Sequence, residues 1–349
     1  MEKKKWGNAP EGGEIFRYTI SNASGSYFVS MNYGANLLEL HVPDRDGRLD
    51  DVVLGFEDLD SYFVNDPCFG CLVAPYANRI GNASFTLGGK TYKLDPNDNG
   101  HNTLHSGYHG LHHKMWAMTA FTDRSITYTI QKEHMECGFP GNVLLSVTYT
   151  LTDDNVLSIH YHATTDRDTV FNPTNHSYFN LGGQASGPAL DAMIQLDADY
   201  YTPTDDEQIP DGRLEKVDGT PMDFRQPRRL GDDIKNYDFE AIRIGHGYDH
   251  NFVLKTKRGT LSPVGSMTDS KTGRKMEIWT DLPGIQIYSG NYVIDCPKGK
   301  GGVTYEPYVG VAFETQFFPN AVNIPTFEQP ILRAGTAFDS TTEYHFTTF

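Results

Sequence analysis

The 349-residue chain is 38% hydrophobic and 21% charged, enough apolar material for a substantial core and too little charge for a disordered chain. Its formal net charge of −16 repels phosphate backbones and anionic bilayers, so nucleic acid and membrane surfaces are not expected partners, while a small neutral ligand would not feel this field. The length suits about two domains, or one long all-β domain.

From the N-terminus, Met1 to Lys5 is basic, but Trp6-Gly7-Asn8-Ala9-Pro10 follows without an apolar stretch. No signal peptide and a cytoplasmic location are therefore expected. No run approaches the roughly 20 apolar residues that span a bilayer. Cys68-Phe69-Gly70-Cys71 has redox spacing. The Leu72-Val73-Ala74-Pro75 that follows reads as a strand ending in a turn, not as the helix of a βαβ unit, so both cysteines are expected to be structural thiols. With Cys137 and Cys296 they are too few for a disulfide framework. Pro75-Tyr76-Ala77-Asn78-Arg79-Ile80-Gly81 is a polar segment at the end of that strand. Gly88-Gly89 separates Ser84 to Leu87 from Lys90 to Leu94, a hairpin signal.

His101 to His113 carries five histidines. The spacing of His101, His105 and His109 would put ligands on one helical face. Gly107 and Gly110 oppose a helix, and no HExxH pattern or cysteine cluster is present, so no metal is expected. Loop histidines that bind water or a ligand are the better expectation, with His112 and His113 on the surface.

Ser125 to Ile130, Val143 to Leu151 and Val156 to His162 alternate apolar and polar residues, and Asp153-Asp154-Asn155 is a hairpin loop between the last two. Asn172 to Leu181, Gly245 to Phe252, Asp281 to Asn291 and Val311 to Pro319 are dense in polar groups yet embedded in apolar ones. Helical periodicity is poor, and only a short turn near Gly231 to Tyr237 is expected. Aromatics at 12% with 34 Gly and 19 Pro suit many short strands separated by turns. The fold expected is one continuous all-β domain over 1–349, a large antiparallel β-sandwich with few short helices.

Two residues stand out for chemistry. Glu314, among Val311, Ala312, Phe313, Phe317 and Phe318, would have a raised pKa if buried there; alternation equally allows it to face solvent on an edge strand. His176, beside Tyr178 and Phe179, is either a satisfied structural group or a proton donor near neutral pH.

Together, N-P-T-N-H-S-Y-F-N-L, G-Y-D-H-N-F, P-G-I-Q-I-Y-S-G-N and F-E-T-Q resemble the aldose 1-epimerase family in order and rough spacing, over nearly the whole chain. The resemblance implies a large β-sandwich with a sugar cleft across one sheet, Glu314 as general base and His176 as general acid. It implies sugar contacts at Asn78, Arg79, His105, Tyr178, Asp249 and Gln286, and no cofactor. Two departures flank the cleft: Ala74-Pro75 where the family commonly has Gly-Arg, and His105-Ser106-Gly107 where it often has His-Gly-Gly. Both bear on sugar preference more than on the reaction.

That reaction would interconvert the anomers of a free hexose by ring opening. Burial is expected to raise the pKa of Glu314, and a nearby carboxylate, with Asp249 the candidate, to keep His176 cationic. Three rivals stay open. One is a non-catalytic carbohydrate-binding sandwich. Another is a glycoside hydrolase with Asp249 and Glu314 as its carboxylate pair. The last is an epimerase for a phosphorylated sugar, for which Arg225 to Arg229 is the strongest basic run. The sequence leaves the oligomeric state open.

Overall fold

Antiparallel pairing accounts for the main body of the chain. In the computed structural model, which describes residues 1–349, three large antiparallel sheets carry most of the strands. The largest has nine, and its centre is the alternating run read from the sequence: Ser125–Lys132, Val143–Leu151 and Val156–Thr165, continued by Ala337–Thr348 and Arg274–Thr280. In Val143–Leu151 every odd-numbered residue is buried. Period-2 side-chain direction thus turns the apolar set of each strand onto one face. The loop between the second pair is tight: Thr152 N–H donates to Val156 C=O at 3.0 Å, with Asn155 in the left-handed region at φ 60°. Gly88-Gly89 likewise joins the paired strands Ser84–Leu87 and Lys90–Lys93.

A six-stranded sheet faces this one. Its order is Tyr178–Phe179, Val311–Gln316, Gly284–Tyr288, Asp249–Leu254, Ala198–Tyr201 and Glu215–Lys216. The two inner faces share one large hydrophobic core. Phe179 packs on Tyr344 with ring centroids 4.7 Å apart, and the Tyr344 hydroxyl donates to Phe313 C=O at 3.1 Å. A five-stranded N-terminal sheet, Glu2–Asn8 to Leu49–Asp51, completes the sandwich.

Only two short α-helices form, Asp60–Val64 and Glu240–Gly245. The helical turn expected at Gly231–Tyr237 is displaced. Gly231 N–H donates to Leu190 C=O at 2.9 Å instead, leaving a 3₁₀ turn at Leu230–Asp232. No helix is long and apolar enough to cross a membrane.

Arg274 ties the sheets together. It is 2% exposed and donates to the carbonyls of Val42 at 3.3 Å, Leu181 at 2.9 Å and Arg48 at 3.1 Å. Arg274→Met would remove three hydrogen bonds at once, although Leu181 C=O keeps the Thr272 hydroxyl and Arg48 C=O keeps the Asp44 N–H, and is expected to lower stability by about 1–3 kcal/mol, read from the urea midpoint. A change under about 0.5 kcal/mol would mean that the Arg274 bonds add nothing to those the carbonyls already make.

Candidate active site

The six-stranded sheet brings distant residues into register. Gln286 lies opposite Glu314 on one side and Asn251 on the other, and Asp249 lies opposite Tyr288. Directly opposed residues project to one face, so Asp249, Gln286 and Glu314 share a face although Asp249 and Glu314 are 65 positions apart (314 − 249).

His176 arrives from the loop before Tyr178–Phe179. Its N–H donates to Cys71 C=O at 2.8 Å, and its C=O accepts from Gly70 N–H at 3.2 Å. Asn78 and His105 enter on two facing turns. Both adopt positive φ, at 61° and 49°, and His105 N–H donates to Asn78 C=O at 3.2 Å.

These elements enclose a cleft of about 360 Å³ whose walls include Asn78, Arg79, His105, His176, Tyr178, Asp249 and Glu314. That volume is within the ordinary range for a small-molecule site. At its floor, His176 Nε2 lies 3.5 Å from Glu314 Oε1, with the two side chains 5% and 2% exposed. Glu314 Oε2 and His176 Nδ1 have no protein partner. The choice left open for Glu314 is therefore settled in favour of burial: every residue of Val311–Gln316 is buried, because this interior strand is covered on both faces.

The remaining expected residues divide by task. Arg79 donates from Nε to Asp98 at 3.0 Å but is only 12% exposed, so it is paired and still part of the cleft wall. The Tyr178 hydroxyl donates to Pro67 C=O at 2.8 Å, leaving its ring as the surface toward the cleft. Gln286 does not line the cleft. It stands behind Asp249 and donates to Oδ1 at 2.7 Å. Gln208, which the sequence did not single out, donates to Oδ2 at 2.8 Å from a loop at φ 61°. Tyr288, Tyr292 and Cys68 also line the cleft.

The histidine-rich segment is dispersed. His101 pairs with Glu207 at 2.8 Å on the surface, while His105 lines the cleft with its ring centroid 5.2 Å from that of His176. His112 is buried rather than on the surface as expected. Gly110 lets its ring pack in: a Cβ at that glycine would lie 2.4 Å from the His112 ring. The Arg225–Arg229 run lies in a different cleft, with Arg225 paired to Asp218 and Asp223, Arg228 to Asp233, and Arg229 to Asp232.

The profile of the aldose 1-epimerase family matches residues 17–345. The chain belongs to the aldose 1-epimerase family. It is similar to the galactose mutarotase of Mus musculus (36% identity over 98% of this chain and 97% of that one). It is also similar to the aldose 1-epimerase of Escherichia coli K12 (34% identity, 97% of each). Among solved structures it resembles an aldose epimerase homologue from C. elegans (TM-score 0.87, 30% identity, 95% of this chain and 98% of that one). A galactose 1-epimerase from Lactobacillus acidophilus is close behind (TM-score 0.86, 28% identity, 99% and 98%). The chain is therefore an isomerase acting on carbohydrates, and the sandwich expected from its sequence is the one found.

The electrostatics of this epimerase cleft agree with one expectation and correct another. Burial pushes the Glu314 carboxyl well above its ordinary 4.5. The Asp249 charge and Cys68 add to the rise, and Arg79 opposes it. His176 was expected to be held cationic. Burial instead lowers it to about 4; Asp249 pulls the other way without overcoming desolvation. Desolvation thus favours the neutral form of both groups, the protonated carboxyl and the unprotonated imidazole. Burial also keeps His105 well below 6.5, hence neutral. Its Nδ1 accepts the Asn78 N–H at 3.2 Å, which leaves the proton of the neutral ring on Nε2.

Proposed function

We propose that the chain interconverts the α and β anomers of a free hexose, D-galactose or D-glucose, with Glu314 as general base and His176 as general acid. The observation that carries this reading is the 3.5 Å contact between two buried, oppositely shifted proton carriers. The anomeric hydroxyl and the ring oxygen are bonded to the same carbon. A base and an acid this close can therefore each reach a different one of them.

The proton sequence follows. The reactive form is reached when one proton passes from Glu314 to His176 across their 3.5 Å contact. The Glu314 carboxylate then takes the proton of the anomeric hydroxyl as the His176 imidazolium gives its proton to the ring oxygen, and the bond from the anomeric carbon to the ring oxygen breaks. The open-chain aldehyde then faces a protonated Glu314 and a neutral His176, the distribution that burial favours. Rotation about the C1–C2 bond presents the other carbonyl face. Closure returns both protons. Each positioned group contributes about 10²- to 10⁴-fold. His105 and Arg79 would donate to sugar oxygens as charge develops. Asp249, held by Gln286 and Gln208, would accept from sugar hydroxyls and fix orientation. Tyr178 offers its ring to a C–H face, and Asn78 seats the Arg79 and His105 turns.

A free rather than phosphorylated sugar is favoured because the arginine run is paired with aspartates in a separate cleft. A hydrolase would leave His176 without a task, and a pure binding module would leave the acid–base pair without one. Polarimetry of freshly dissolved α-D-galactose and α-D-glucose tests the reading: a rate above buffer in proportion to protein supports it, and the buffer rate with both sugars refutes it. Aryl glycosides should release no aryl alcohol.

Three expectations attach to this site. The pair loses its function when a second proton enters it, so kcat/KM should fall on the acid side with a midpoint near the His176 value of about 4. A midpoint near 6.5 would mean that His176 titrates as a free imidazole. Asp249→Asn should raise KM about 10- to 100-fold while kcat changes less than about threefold, since it removes a charge-assisted hydrogen bond used in binding. One donor atom each of His105, His176 and Glu314 lie within 4.8 Å of one another, close enough to share a cation as well as a proton. Exhaustive dialysis against a chelator separates these cases: a rate unchanged within about twofold is expected, and a loss restored by a divalent metal would contradict the assignment.

A further inference from the structure

The Cys68-Phe69-Gly70-Cys71 motif is not used by the epimerase reaction, yet it sits against it. Cys68 lines the cleft beside His176 and Glu314, and Cys71 is buried behind it; both are free thiols. Cys71 N–H donates to Cys68 C=O at 3.1 Å, closing a four-residue turn. Such turns keep their end Cα atoms within about 7 Å, which is near the span of a disulfide. The Cys71 sulfur accepts from Asn65 Nδ2 at 3.2 Å, and burial first, with the neighbouring Cys68 thiol adding to it, pushes the Cys71 thiol well above its ordinary value.

The turn is also tied to the catalytic residues. Cys71 C=O and Gly70 N–H are the two backbone partners of His176, and Pro67 C=O holds the Tyr178 hydroxyl. On its other side the turn has no room. A Cβ at Gly70 would lie 1.9 Å from the Leu37 carbonyl oxygen. Gly70 is thus backed against Leu37, and a contraction of the turn bears directly on the hydrogen bonds to His176 and Tyr178.

We infer that Cys68 and Cys71 form a dithiol modification site in the wall of the cleft, which a small hydroperoxide converts to a disulfide that switches epimerisation off. The inference rests on the assignment of His176 as the acid. Cys68, the thiol facing the cleft, attacks hydrogen peroxide: an S–O bond forms, the O–O bond breaks, and the thiol proton leaves with the departing oxygen as water. Cys71 sulfur then attacks the sulfenic Cys68. The S–S bond forms, the S–O bond breaks, and the hydroxyl leaves with the Cys71 proton as a second water. Two thiols lose two electrons and two protons, and the peroxide is reduced.

The test treats the full-length protein with hydrogen peroxide and follows the polarimetric rate alongside peptide mass. The expected result is a Cys68–Cys71 disulfide whose fraction tracks an at least tenfold loss of rate, with recovery in dithiothreitol. Cys71→Ser, compared with its own untreated rate, should keep most of it at the dose that silences the wild type. If that variant does not fold, the wild-type correlation between disulfide fraction and lost rate decides alone. Failure to form the disulfide, a disulfide with an unchanged rate, or equal loss in Cys71→Ser would overturn the inference. An untreated protein that does not accelerate mutarotation would instead overturn the proposed function, while the disulfide remains readable by mass.

Discussion

Glu314→Gln is expected to lower kcat for mutarotation by about 10²- to 10⁴-fold with little change in KM, because it removes the base and keeps the shape. Stability should move the other way. A carboxyl whose folded pKa is raised contributes stability that is full below its unfolded value of 4.5 and is lost as pH rises toward the folded value. Gln carries no such loss. The Tm of the variant relative to the wild type should therefore rise as the pH is raised above 4.5. A variant with wild-type kcat would end the assignment of Glu314 as base. A Tm difference that does not change with pH would mean that the buried carboxyl is not shifted.

His176→Gln is expected to cost a similar factor, about 10²- to 10⁴-fold in kcat. Its backbone bonds to the Cys68–Cys71 turn should persist, since they need only the main chain of residue 176. The discriminating readout is the pH profile. Without the imidazole, no shared proton remains, and the residual rate should follow ionisation of Glu314 alone. Because that carboxyl is held well above 4.5, the residual rate should climb with pH to a plateau whose midpoint lies above 4.5, whereas the wild type, which needs one proton on the pair, falls at high pH when that proton is lost. A residual profile that falls at high pH as the wild type does would show that His176 does not share a proton with Glu314.

Much of this was readable in the chain because sheets have a strict period. Val143–Leu151 and Val156–Thr165 announce themselves by alternation, and their loop by Asp153-Asp154-Asn155. The same logic fails at Glu314. Alternation predicts an inside and an outside, but a strand covered on both faces has only an inside. Local pattern could not choose there; the resemblance could. The sequence singles out His176, which lines the cleft beside Glu314, but not its charge. Residue type gives an imidazole near 6.5, and only three-dimensional burial shows that desolvation outweighs the Asp249 charge. Gln208 carried no signal at all, since its role comes from a turn that folds across to Asp249 over 41 residues. His112 looked exposed because nothing in a histidine-rich loop reveals that Gly110 makes room for its ring.

The central claim is that Glu314 and His176 act on two oxygens of one anomeric carbon. A crystal of the protein soaked with D-galactose measures this directly. The expected result is a Glu314 carboxylate oxygen within hydrogen-bonding distance of the anomeric hydroxyl and His176 Nε2 within hydrogen-bonding distance of the ring oxygen. A sugar seated in the cleft with its anomeric carbon turned away from both side chains would contradict it.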